Sequence, residues 1–272
     1  MAAWRIGTMV SLQEALQDGF ARLRELGLDT CQVSCWQPQR LDAASARALR
    51  AQALAHAVEI SSIWAGHSGR TSWTFQEGPA TIGLVPLATR VQRLAEYRAA
   101  AAFAAQVGAP SITTHIGFVP ENPGDALYGP FIDCLRGLVQ ECAHLGVELW
   151  LETGQETPVT LLRTVADVGL PGLGVNLDPA NLILYGKGNP VDAVGVLGRL
   201  VRGVHAKDGC YPISGAALGE ETALGRGQVD FPALVAALRA QRYQGRVIIE
   251  REISGAQQRA DIAAAITYLR AL

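Results

Sequence analysis

At 272 residues, 49% hydrophobic and 18% charged, the chain has the apolar material for a large core, and α/β barrels of about 250 residues run as one domain. A formal net charge of −2 with no basic cluster argues against nucleic acid as the main partner. The opening MAAWRIGTMV lacks the form of a signal peptide and no long apolar run follows it, so we expect a soluble, cytoplasmic protein with one domain over residues 1–272 and no membrane partner.

From the N-terminus, short apolar runs alternate with Ala-, Leu- and Arg-rich stretches of helical period. The first predicted strand, Trp4–Gly7, precedes a helix over Leu12–Leu26 that Gly27 closes. The second strand, Thr30–Trp36, holds Cys31 and Cys35; the five cysteines show no zinc-type pairing, so buried thiols are expected. A helix over Ala43–Ala57 leads to the third strand, Glu59–Ala65. A long connection, Gly66 to Ala88, then carries His67, Trp73 and Phe75 to a helix over Thr89–Val107. Spacing puts Val91, Leu94, Ala95, Ala102 and Ala105 on that helix's apolar face and turns Arg90, Arg93 and Arg98 elsewhere. Strand Ser111–Ile116, helix Gly129–Leu145, strand Val147–Glu152 and helix Pro158–Val168 follow.

The sixth strand, Leu173–Asp178, stops at Asp178-Pro179. Asn189 caps the next helix with Pro190 at its first position, running to Leu200. The seventh strand, Val201–His205, ends in His205-Ala206-Lys207-Asp208, and a second long connection, Gly209 to Val229, includes the glycine-rich start of Leu224–Asp230. Helix Phe231–Gln241, strand Val247–Glu250 and helix Gln257–Leu272 complete the order. Eight strands alternating with eight helices predict an α/β fold, the (β/α)8 TIM barrel. A doubly wound open sheet is the alternative, but Ile6-Gly7-Thr8-Met9 offers no glycine-rich phosphate loop. Crossovers make the strands parallel, so both long connections share the face of the strand C-termini and read as lids or substrate walls.

Four successive strands, the fifth to the eighth, end in ligand-type residues: Glu152, Asp178, His205 and Glu250. A strand-end Asp alone is ordinarily a turn or cap residue, and a lone His a hydrogen-bonded core residue. Four at equivalent positions, three of them in apolar runs where an unpaired charge is costly, predict one metal site. One imidazole and three carboxylates suit a hard divalent cation, Mn²⁺ first, with Mg²⁺ or Co²⁺ as alternatives.

The motifs LET, NLDPAN, HAKD, GRGQVDF and IIERE resemble the xylose isomerase-like TIM-barrel superfamily of sugar isomerases and epimerases, along the whole chain. The resemblance implies that Glu152, Asp178, His205 and Glu250 bind one divalent metal and that Glu152 and Glu250 also move protons. One departure stands out: many epimerases carry a substrate-contacting His three residues after the aspartate, where this chain has Asn181. The chemistry of the residues agrees. Abstracting a proton alpha to a carbonyl requires stabilisation of the developing enediolate, which a chelating metal supplies. Glutamates from two strands can flank a sugar, one removing the proton and the other returning it. Both faces served gives epimerisation; one face gives aldose–ketose isomerisation, and the residues do not choose between them.

Around this centre His115, Lys207 and Glu156 are candidate substrate contacts, each with a structural alternative: a satisfied barrel histidine, a salt bridge to Glu252 or Asp208, and a helix-start carboxylate. Trp36 and Trp64 are candidate walls against sugar C–H groups, or core aromatics; Arg226 binds an anionic group or anchors its loop. The expected partner is a small sugar, with assembly into a homo-oligomer left open. The rival readings are an inosose dehydratase-like lyase, a metal-dependent hydrolase and a non-catalytic sugar-binding protein. The hydrolase would need more histidines than the five present. No phosphate cradle is visible, which favours a free sugar over a sugar phosphate.

Overall fold

The computed structural model describes residues 4–272. Its strands in chain order are β1 (Ile6–Ser11), β2 (Thr30–Cys35), β3 (Glu59–Ala65), β4 (Ser111–Thr114), β5 (Glu148–Glu152), β6 (Leu173–Leu177), β7 (Val201–Ala206), β8 (Asp208–Cys210), β9 (Glu220–Thr222) and β10 (Arg246–Ile249). All but β8 and β9 form one closed parallel barrel, in the order β1-β10-β7-β6-β5-β4-β3-β2. Closure is made where Ile6 pairs with Val247 on one side of β1 and Thr8 pairs with Cys31 on the other. The expected (β/α)8 barrel is the observed one. Strands β8 and β9 make a separate antiparallel ribbon inside the second long connection.

Alternation along each strand divides the molecule into two environments. Outward residues such as Val33, Ile63, Leu149, Leu151, Val175 and Leu177 are fully buried against the helices and make the apolar core. The inward positions are largely polar and bond one another across the barrel. Gln32 on β2 donates to Asn176 on β6, four strands away around the barrel, and Ser62 pairs with Thr113 at 2.8 Å. A buried polar interior is tolerated only when its groups are paired, and these pairs supply that condition.

Several elements depart from the sequence expectation. Trp4 lies outside β1, because its Nε1 donates to the Tyr243 carbonyl and its ring stands edge-on to Tyr243. The strand instead continues to Ser11, which caps a short helix, Leu12–Ala15, through a reciprocal bond pair with Glu14. The single helix expected over Leu12–Leu26 is thus two, the second being Gly19–Glu25; it breaks before Gly19, the poorest helix former of the run. An unexpected short helix, Pro179–Leu184, follows β6 with Asp178 as its cap.

The largest departure concerns the helix Leu87–Val107. Val91, assigned to its apolar face, is 82% exposed, whereas Arg90 and Arg93 are buried together with Tyr97, Ala101 and Ala104. The arginines face inward because the preceding segment offers them backbone carbonyls. Arg90 donates to Leu84 and Val85, each at 2.6 Å, and Arg93 donates to Gly83 at 2.9 Å and Thr81 at 2.6 Å. Gly83 lies so close to Ile116 that a Cβ would sit 2.0 Å from its carbonyl carbon. The first long connection is therefore stitched down at its C-terminal end. Among the described residues, no helix is long and apolar enough to cross a membrane.

Candidate active site and metal centre

The four strand-end residues converge as the sequence predicts. Glu152 closes β5, Asp178 follows β6, His205 lies in β7 and Glu250 follows β10. One ligand atom from each can be chosen so that all lie within 4.8 Å of one another. His205 Nδ1 is 3.0 Å from Glu152 Oε1, 3.1 Å from Glu250 Oε2 and 3.7 Å from Asp178 Oδ2. Glu152, Asp178 and His205 are almost wholly buried, and only Glu250 keeps a small contact with solvent.

The individual atoms fit a cation. Asp178 Oδ1 accepts the Asn181 backbone N–H at 2.9 Å, which leaves Oδ2 buried with no hydrogen bond. Glu250 Oε2 is buried too, and neither His205 nor Lys207 aligns on it as a hydrogen bond. The His205 ring is oriented from behind. In its neutral form Nε2–H donates to Gln32 Oε1, 2.9 Å away, and Nδ1 is turned toward the three carboxylates. Such a partner on the far nitrogen is how metal-ligating histidines are ordinarily held. Oxygen donors with one imidazole suit Mn²⁺, Mg²⁺ or Co²⁺.

The charges are tightly balanced. Burial opposes ionisation of Glu152, but His115 and His205 outweigh it and bring this carboxyl below its ordinary range. Glu250 is likewise held well down despite burial, by Lys207 and His205. Asp178 goes the other way: burial raises it to about 6, against the pull of Lys207 and His205. Burial would lower both His205 and Lys207, yet the surrounding carboxylates push each well above its ordinary value. Without a cation, then, a proton on His205 offsets part of the carboxylates' charge, and a divalent metal must displace it. Burial lowers His115, against the pull of Glu152, and its Nε2 lies 3.7 Å from that carboxylate.

Trp36, Trp64 and His115 line the cleft above this centre, as anticipated, and Trp73 from the first long connection joins them. Trp64 Nε1 donates to Glu152 Oε2. Trp73 stands edge-on to His115 at 5.1 Å, and Phe75 and Phe118 stand edge-on to Tyr185. Lys207 is buried, with Nζ 2.8 Å from Glu252, 3.3 Å from Glu250 and 3.3 Å from Asn181 Oδ1. It therefore makes the expected salt bridge and also reaches the site. Two candidates are not brought to the cleft. Glu156 is buried behind it, and Arg226 stands on the outside of its loop.

Sequence reasoning missed the residues that hold the site in place. Gln32 and Asn176 were findable in principle, as polar residues at inward positions of otherwise apolar strands. Asn181 Nδ2 approaches Glu152 Oε1 at 3.4 Å. Asp208 gathers the backbone N–H groups of Gly209, Gly225, Gly227 and Val229, so the glycine-rich loop wraps a carboxylate of this chain. The adjoining HAKD and GRGQVD motifs were the available signal for that pairing.

Comparison with known proteins matches residues 20–272 to the family model described as xylose isomerase-like TIM barrel. No curated protein is a significant match. Among solved structures, a xylose isomerase domain protein from Planctomyces limnophilus is 37% identical, with a TM-score of 0.93 over 99% of this chain and 97% of that one. The 3-keto-D-glucoside 4-epimerase of E. coli superposes with a TM-score of 0.75 at 18% identity, over 99% of this chain and 100% of that one. D-allulose 3-epimerase from Methylomonas sp., in complex with D-allulose, gives 0.74 at 14% identity, over 100% and 98%. The last two likenesses are of fold.

Proposed function

The chain belongs to the xylose isomerase-like TIM-barrel family, and on that premise we propose that it is a divalent-metal-dependent sugar isomerase or epimerase acting on a ketose or keto-sugar. One observation carries the reading: two glutamates from separate strands, Glu152 and Glu250, meet at one buried imidazole beside an unpartnered aspartate oxygen. Glu152, Asp178, His205 and Glu250 would hold the metal, Mn²⁺ in the first instance. When bound it would supply Lewis-acid polarisation of a carbonyl and its neighbouring hydroxyl.

The chain's own groups do the rest. Glu152, held low by the neighbouring histidines and oriented by Trp64 and Asn181, takes the proton from the carbon next to the carbonyl. Glu250, steadied by Lys207, handles the proton on the other side of the sugar. His115 and Asn181 are placed to bond substrate hydroxyls from the cleft wall, and the tryptophans keep water from the reacting carbon. The same pair of glutamates supports a second reading, in which a keto-polyol loses water: one takes the proton next to the carbonyl and the other, protonated, returns a proton to the departing hydroxyl.

The test is incubation of the Mn²⁺-loaded protein with a panel of ketoses in D₂O, followed by NMR and mass spectrometry. Deuterium at an inverted or migrated carbon is expected. A product lighter by one water selects the lyase instead, and a protein that exchanges and converts none of the panel refutes both.

A further inference from the structure

The cleft over the quartet is wider than the reacting centre and lopsided. It encloses about 430 Å³, and Glu250 is the only quartet member on its wall. Across the mouth, the ends of β1 and β2 contribute Ser11, Ser34 and Trp36, and the short helix after β1 contributes Glu14. Among the described residues, none of these four bonds to the quartet.

Trp36 is the informative one. It is 45% exposed, yet its ring is fixed, 4.7 Å from Trp64 and edge-on to Trp73 at 6.0 Å. It also rests against Gly66, where a Cβ would come within 2.7 Å of the indole. The result is a rigid aromatic platform one ring beyond Trp64, and Trp64 is bonded to Glu152. A group attached to the reacting sugar would reach this platform without entering the metal site.

The charges on the wall state what that group is not. Four carboxylates line the cleft, Glu14, Glu221, Glu250 and Glu252, against one guanidinium, Arg251. Arg251 is occupied by Glu221 at 2.9 Å and Asp261 at 2.8 Å, and Lys207 beneath is held by Glu252. A phosphate here would face the carboxylates with no cation on the described wall free to receive it.

We infer that the site takes a neutral glycoside: a keto-sugar whose reacting ring lies over Glu152 and Glu250 and whose second ring or aglycone rests on Trp36. The inference builds on the sugar-isomerase reading and narrows it. The test titrates the Mn²⁺-loaded protein calorimetrically with two matched pairs, D-fructose against isomaltulose and methyl against phenyl 3-keto-β-D-glucopyranoside, and with D-fructose 6-phosphate. Solvent-deuterium uptake is followed in parallel.

The longer member of at least one pair should bind at least tenfold tighter than the shorter, and D-fructose 6-phosphate at least tenfold more weakly than D-fructose. Trp36→Ala should cost the longer member at least tenfold more than the shorter. Equal affinities within both pairs, equal losses from Trp36→Ala, or tighter binding of the phosphate would each overturn the inference. The wild-type ranking decides the matter even if Trp36→Ala fails to fold. Deuterium uptake into short sugars without preference for long ones removes the glycoside and leaves the isomerase standing; no binding and no exchange with any sugar removes both.

Discussion

Glu156 offers the sharpest test of how this interior handles charge. The residue is 1% exposed and neither carboxyl oxygen has a hydrogen-bond partner. Burial drives its carboxyl from the ordinary 4.5 to about 8, against a small opposing pull from a backbone amide and Lys187. The folded form thus holds this proton more tightly than the unfolded chain does. Its contribution is fully present below about pH 4.5 and is lost as the pH rises through 8. At about 1.36 kcal/mol per tenfold change in proton affinity, the loss approaches roughly 4–5 kcal/mol. Glu156→Gln keeps the shape and removes the charge. Near pH 5 the variant should melt within about 2 °C of wild type; near pH 9 it should melt roughly 10 °C higher, taking about 2–4 °C per kcal/mol for a chain of this size. Scanning calorimetry across that range reads the difference directly. Melting curves that stay parallel from pH 5 to 9 would show that Glu156 is solvated or paired, and the argument from burial would fail.

Five further outcomes are expected. Asp178→Asn should lose most of its metal while keeping the fold, because Asp178 Oδ2 is the unpartnered oxygen; equal metal content by elemental analysis would remove it from the site. Gln32→Leu should weaken Mn²⁺ binding roughly 10- to 100-fold by freeing the His205 ring. In the wild type, calorimetric Mn²⁺ affinity should fall from pH 8 to 5, as Asp178, near 6, takes up a proton and the one His205 holds becomes harder to displace; a flat profile would contradict the displacement of a proton by metal. Phe75→Ala, which strips a ring from Tyr185, should slow turnover more than it lowers the melting temperature, and the reverse ranking would make the segment core. Glu250→Gln should cost about 10²–10⁴ in rate, and a wild-type rate would end the paired-glutamate mechanism.

The barrel was legible because period and punctuation agree along the chain. Strand β3 falls where its apolar run predicts, and the helix Pro158–Val168 is bounded by its proline and by Gly169. The convergence of the quartet was legible because its members end four successive strands, three of them in runs where a charge is out of place. The buried face of the helix Leu87–Val107 was not. An arginine reads as a solvent residue until the carbonyls that accept its protons are known, and those belong to residues folded back from earlier in the chain. For Gln32 the inward polar position was readable but its role was not: its partners, Asn176 and His205, lie across the barrel, and no local pattern records such a distance. Arg226 is exposed on its loop, and the anion that the amides of this loop enclose is Asp208, which the sequence does not by itself mark as their partner.

The stitched segment over Thr81–Val85 is also costly to move. Lifting it would strand two buried guanidinium groups, each loss costing about 1–3 kcal/mol or more, so this part of the first long connection is fixed in place. The other flank of the mouth is built differently: the β8–β9 ribbon crosses the rim, and Ile213 between its strands stands wholly in solvent. That ribbon is anchored by few points, the Gly219 N–H on Leu184 and Glu221, which accepts the Glu252 N–H and pairs with Arg251, so the two flanks resist displacement very unequally.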